Sequence, residues 1–225
     1  MRDIFAYKHF PSYDLMFNPS FLPYFTDIWI IGDSLIKWAE DRAIFRNNYN
    51  LGVHDKRVIW SGYRGMHLDE ILPKLQHNIL FYPVPAMIII HVGGNDLVNV
   101  KQAKLMKSIS KVLKYIAAIF PSSYVVWSDI LPRKQWRGIK DTPANLVKMH
   151  NKRKRINRAG RQTALQLPLG RSVINYDIDT TTDGLFRSDG THLSPIGNDI
   201  FLTTLQEAVA SFLANQNLVV FNALA

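Results

Sequence analysis

Five residues in four separate stretches of the chain carry groups that acyl transfer needs: Ser34, Gly65, Asn95, Asp189 and His192. A serine hydroxyl attacks a carbonyl only when a base takes its proton. His192 suits that task, because an imidazole titrates near neutral pH. Asp189, three residues earlier, can hold the ring in the productive tautomer from a turn and stabilise the imidazolium. The developing oxyanion needs preorganised donors, and the backbone N–H groups of Ser34 and Gly65 and the side-chain amide of Asn95 are of the right kind. Each residue also has an ordinary reading. Ser34 by itself reads as a helix N-cap, Gly65 as a turn residue, and Asn95 with Asp96 as caps for the helix that follows. His192 by itself reads as a surface histidine, and Asp189-Gly190 as a turn pair. The chemical reading gains its weight from where the five stand together.

The elements around them set that placement. The apolar run Ile28-Trp29-Ile30-Ile31 stops at Gly32, and an amphipathic stretch from Ser34 towards Arg46 follows. That pattern predicts a buried strand (about 27–32), a tight turn and a helix. Further strands are predicted at 57–60, 86–92, 124–127 and 172–176. Helices are expected after Met66, over about 98–120, over 143–165, and from a Ser194-Pro195 start, a cap with proline at the first helical position. Expected inner faces are Leu35, Trp38, Ala39 and Ile44 or Phe45 on the first helix, and Met66, Leu68 or Asp69, Leu72 and Leu75 or Leu80 on the second. On the third they are Leu105, Ile109, Val112 or Leu113, Ile116 and Phe120, and on the last Ile196, Ile200, Leu205, Val209 and Phe212. Five alternations of strand and helix imply a parallel sheet covered on both faces. The strand ends then share one edge, where Ser34, Gly65 and Asn95 converge; a last helix returning to that edge can bring Asp189 and His192 along.

The 225 residues are expected to form one domain from residue 27 to 225, preceded by an irregular, aromatic- and proline-rich arm at 1–26. Hydrophobic residues make up 47%, enough for a sizeable core, and no run approaches the roughly 18 apolar residues of a membrane span. Cysteine is absent, which excludes disulfides and thiol chemistry. With no uninterrupted apolar stretch at the N-terminus, the expectation is an intracellular chain. No histidine pair with metal-ligand spacing stands out, and serine chemistry needs neither metal nor cofactor.

The blocks resemble those of the SGNH (GDSL-type) hydrolases. Gly32-Asp33-Ser34-Leu35 matches the first block letter for letter, Gly65 the second, Gly93-Gly94-Asn95-Asp96 the third, and Asp189 to His192 the fourth. Gly62 competes for the second block; spacing to the following helix favours Gly65. The resemblance runs from about Asp27 to Leu213. It implies a three-layer α/β/α sandwich with a flavodoxin-like five-stranded parallel sheet, and a serine hydrolase that cleaves a small acyl ester. Ser34, His192 and Asp189 would be the triad, and Ser34, Gly65 and Asn95 the oxyanion hole. No Gly-x-Ser-x-Gly elbow is present, which argues against the α/β-hydrolase class. The stretches 60–65, 127–133 with 136–138, and 184–190 further resemble SGNH-type domains encoded in animal mobile elements.

The formal net charge is +9, which favours anionic partners. Between Arg133 and Arg161 there are eleven Lys and Arg against one acid, Asp141. A solvated helix face is the plain reading of such a run. The sharper one is an anion-binding surface for nucleic acid or another polyanion. Arg133, Lys134, Arg137, Lys152, Arg155 and Arg158 would contact phosphates there, with Trp136 stacking. Arg153 falls between Met149 and Ile156 on the apolar face, so it must snorkel or point into a cleft.

Overall fold

The computed structural model describes residues 27–54 and 56–222. The arm expected at 1–26 lies outside the described residues. Six parallel strands form one sheet in the order β2-β1-β3-β4-β5-β6. They are β1 (Ile28–Gly32), β2 (Val58–Gly62), β3 (Met87–His91), β4 (Tyr124–Ser128), β5 (Gly170–Ile174) and β6 (Val220–Asn222). The sequence reading expected five. β6 is only three residues long and belongs to the short apolar run at 218–221, a few residues past the end of α6; pairing with β5 makes it a strand.

The helices are α1 (Ser34–Phe45), α2 (Ile71–Phe81) after a 3-10 turn at Leu68–Glu70, α3 (Asp96–Asn99), α4 (Gln102–Ile119), α5 (Pro143–Leu165) and α6 (Pro195–Ala214). Successive strand residues point to opposite faces, and each face has its own core. Trp29, Ile31, Ile88, Ile90, Val125 and Trp127 pack under α2, α4 and α5. Ile28, Ile30, Met87, Ile89 and Val126 pack under α1 and α6. This is the three-layer α/β/α sandwich. The central strands are apolar on both faces because both faces are covered. No helix among the described residues is long and apolar enough to cross a membrane.

Several expected details shift. The helix expected over 98–120 is two helices, α3 and α4, parted by extended backbone at Val100 and Lys101. On α1 the buried stripe is Leu35, Ile36, Ala39 and Ala43, while Ile44 and Phe45 are exposed in the last turn. Leu80 and Ile196 are likewise exposed, near helix ends. The inner face of α6 is carried by Phe201, Leu202, Leu205, Ala208, Val209 and Phe212. The stripe expected on α4 is buried as read.

The strand order reverses between β1 and β3, which places a crevice at their carboxyl ends. Gly32 stands opposite both Gly62 and His91 there. A Cβ on Gly32 would lie 2.1 Å from the His91 carbonyl oxygen, so no larger residue fits where β1 leaves the sheet.

Candidate active site

The first question at the β1–α1 turn is what Ser34 does. Asp33, not Ser34, caps α1: its backbone is extended and its carboxylate accepts from the Leu35 N–H at 2.9 Å. The Ser34 hydroxyl is thereby free of the capping role. It sits 3.0 Å from His192 Nε2. His192 Nδ1 is 2.7 Å from Asp189 Oδ2. With the Nδ1 proton directed at that carboxylate, Nε2 is the bare nitrogen and accepts the Ser34 O–H.

Asp189 is held by its own turn. Its other oxygen, Oδ1, accepts from the N–H groups of Thr191 and His192 at 2.8 and 2.9 Å. Burial works against ionisation, but these bonds and the His192 ring hold the carboxyl down at about 2. The turn is clasped from outside. Gly190 O accepts from the N–H groups of Lys134 and Gln135 at 2.7 and 3.0 Å, and the Thr191 hydroxyl donates to Gln135 O at 3.1 Å. The expected Ser194 cap is present, donated to by Gly197 N–H, and it starts α6 directly after the histidine.

Gly65 and Asn95 reach the same cleft, a cavity of about 740 Å³ whose lining includes Ser34, Gly65, Asn95, Asp189 and His192. The competing Gly62 is the last residue of β2 and is packed against the backbone of Lys37. Gly65 has φ +73°, the left-handed region that glycine occupies without strain. The N–H groups of Ser34 and Gly65 have no protein acceptor among the described residues. Asn95 stands at the N-cap position of α3, but its side chain makes no capping bond there. Its Nδ2 donates to Met66 O at 3.0 Å, and its Oδ1 accepts from Arg133 Nη2 at 3.3 Å. Since Arg133 can only donate, the amide orientation is fixed, and one N–H remains for the cleft. Asp96, also expected as a cap, instead accepts from Leu68 N–H at 3.1 Å and lies 3.1 Å from His67 Nδ1, tying the 3-10 turn to α3.

Two contributors were not legible as such. Trp38, expected in the core of α1, is only partly buried and lines the cleft. Its ring meets that of His192 edge-on at 6.3 Å, and the Arg187 guanidinium lies 3.8 Å from its centre. Arg133, expected on a phosphate-binding surface, is buried under the cleft, with Nη2 3.6 Å from Asp33 and its guanidinium over Trp136. Burial pulls its pKa below the ordinary guanidinium value, against the carboxylates of Asp33 and Asp189.

The other residues expected on that surface take different places. Trp136 is buried, out of reach of a stacking base. Lys134 approaches Asp183 at 3.9 Å, and Arg137 lines the cleft. Lys152 donates to the carbonyls of Leu97 and Val100 at 2.6 and 2.7 Å. It thus satisfies backbone oxygens at the end of α3, where the chain leaves the helix. Arg155 and Arg158 are exposed on α5. Arg153 is partly buried, donates to Ile130 O at 2.8 Å and lines a second cavity beside α5.

No family model and no curated protein matches the chain in sequence. Solved structures do match in fold. A GDSL-like lipase from Bacteroides thetaiotaomicron superposes with a TM-score of 0.64 at 16% identity, over 84% of this chain and 90% of that one. The lipase/acylhydrolase from Enterococcus faecalis gives 0.61 at 16% identity, over 82% and 95%. The psychrotrophic esterase EstA from Pseudoalteromonas sp., in a structure inhibited by monoethylphosphonate, gives 0.61 at 16% identity, over 84% and 100%. Strand order, layers and these superpositions agree: the chain has the SGNH (GDSL-type) hydrolase fold.

Proposed function

We propose that the protein is a serine esterase of the SGNH (GDSL-type) family, acting on a small acyl ester without a cofactor. The observation that carries this reading is the hydrogen-bonded chain Ser34–His192–Asp189 at the mouth of the cleft. The fold neighbours, described as lipases and esterases, support it.

In this reading His192 Nε2 takes the hydroxyl proton as Ser34 Oγ attacks the ester carbonyl. Asp189 holds the ring by its Nδ1–H and stabilises the imidazolium. The carbonyl oxygen, now negative, accepts from the N–H groups of Ser34 and Gly65 and from the Asn95 amide; one such donor is worth ~2.7–4 kcal/mol of the barrier. The tetrahedral intermediate collapses, and His192 returns its proton to the departing alkoxide, leaving an acyl group on Ser34. Water then attacks the acyl carbon, giving its proton to His192. Collapse of the second intermediate releases the carboxylic acid and restores the serine.

The test is p-nitrophenyl acetate hydrolysis by the purified protein and by Ser34→Ala, with a fluorophosphonate probe alongside. The expected result is a rate loss of at least about a thousandfold in the variant and labelling of Ser34 only. Equal rates from the two proteins would remove the reading.

A further inference from the structure

A second cavity, of about 640 Å³, lies along α5 and shares no lining residue with the cleft. Its other walls are the chain after β4, at Asp129 and Pro132, and the end of β5 with the chain that follows it, from Ile174 to Thr181. One helix supplies five basic side chains to it: His150, Arg153, Lys154, Arg158 and Arg161. Their spacing puts them along one side of α5.

The acids in this cavity are already engaged. Asp129 receives the Arg161 guanidinium. Asp179 accepts from the N–H groups and hydroxyls of Thr181 and Thr182 at 2.6–2.7 Å, which holds its carboxyl well below the usual range. Lys154 and Arg158 have no carboxylate partner among the described residues. Arg153 spends Nη1 on Ile130 O, and its Nε is buried without a partner. The result is a concave surface with more fixed positive charge than the protein itself neutralises. His150 registers that field: burial pushes its ring pKa down, and Arg153 and Lys154 push it further the same way.

We propose that this cavity binds a ligand carrying two or more phosphate groups. Three of its four permanent cations are arginines, whose planar forks match phosphate oxygens two at a time. From His150 to Arg161 the row runs roughly 16 Å at the α-helical rise, longer than one phosphate needs. Tyr176, 61% exposed on the opposite wall, offers an aromatic face beside it. The shared chemistry is a phosphate chain, whether of a free pyrophosphate or nucleotide or of a nucleic-acid strand.

The experiment is calorimetric titration of the full chain with pyrophosphate, ATP and a short single-stranded oligonucleotide, in chloride buffer at fixed ionic strength. It is repeated on the double variant Lys154→Gln/Arg158→Gln. A charge-matched control, Lys104→Gln/Lys111→Gln, removes two cations from α4. Saturable pyrophosphate binding is expected in the parent and the control, weakened at least about tenfold in the α5 variant. Both variants should hydrolyse p-nitrophenyl acetate at the parent rate. Tighter binding of the oligonucleotide through the same two residues assigns the phosphates to a nucleic-acid strand; tighter binding of ATP assigns them to a free nucleotide. Equal weakening in both variants, or no saturable binding at millimolar pyrophosphate, overturns the proposal and leaves the hydrolase reading untouched.

Discussion

Arg133→Met separates the two things that Arg133 does. Arg133 is 8% exposed, with its guanidinium 3.6 Å from Asp33 and 3.3 Å from the Asn95 oxygen. Methionine keeps an apolar stem against Trp136 but removes the charge and the donors. At 3.6 Å and an effective dielectric near 20, the attraction to Asp33 is on the order of 4–5 kcal/mol. Removing the guanidinium also relieves its own burial penalty, so the expected net loss of stability is ~2–3 kcal/mol. For a domain of this size that lowers Tm by roughly 5–10 °C. In the proposed esterase, the effect on catalysis follows from Asn95. Without a donor at Oδ1 the amide is anchored only through Met66 O and can turn its remaining N–H away from the cleft. Losing an oxyanion donor outright costs about 10²–10³ in kcat. A donor that is present but misaligned should cost about tenfold to a hundredfold. The assays are urea denaturation for stability and kcat for p-nitrophenyl acetate at saturation, at a temperature where both proteins are folded. A variant with the expected stability loss and an unchanged kcat would refute the idea that Arg133 orients the amide.

Gly160→Ala should destabilise the fold although alanine favours helix by ~1 kcal/mol. The new Cβ would lie 2.4 Å from Trp127 Cε2, so α5 must move off the sheet, at a cost of ~1–3 kcal/mol or more. An unchanged or higher urea midpoint would refute this. His91 is fully buried and pushed down to about 4 by burial, so between pH 6.5 and 4 the unfolded chain binds a proton that the folded one refuses. Stability therefore falls as pH drops through that window, by ~3 kcal/mol from this group. Asp129, raised to about 6 by burial, acts in the opposite sense, losing stability as pH rises through its range. His91→Gln should accordingly lose less Tm between pH 7 and pH 4.5 than the parent; equal losses would contradict the assignment. Gly65→Val should cut both stability and kcat, because valine at φ +73° costs ~1–2 kcal/mol and the strained turn carries the N–H at the cleft; an unaffected enzyme would count against Gly65 as a donor.

The layered fold and the residues that meet at its edge were legible because each leaves a local mark. Ile28 to Ile31 and Met87 to Ile90 are apolar without interruption, as strands covered on both faces must be. Ser34, Asn95, Asp189 and His192 carry functional groups that few side chains can replace. The sequence also contained the competing roles, and only tertiary structure chose between them. Whether Ser34 or Asp33 caps α1 depends on side-chain directions at one turn, and Asp33 takes the N–H. Whether Arg133 and Lys152 face solvent or the interior depends on partners elsewhere in the chain, at Asn95 and Asp33 and at Leu97 and Val100. The break at Val100 and Lys101 and the short strand β6 have the same origin. Local pattern reports what a segment prefers by itself. Capping, burial of charge and edge pairing are settled by groups the chain brings back from a distance, and their identity appears only once it has folded.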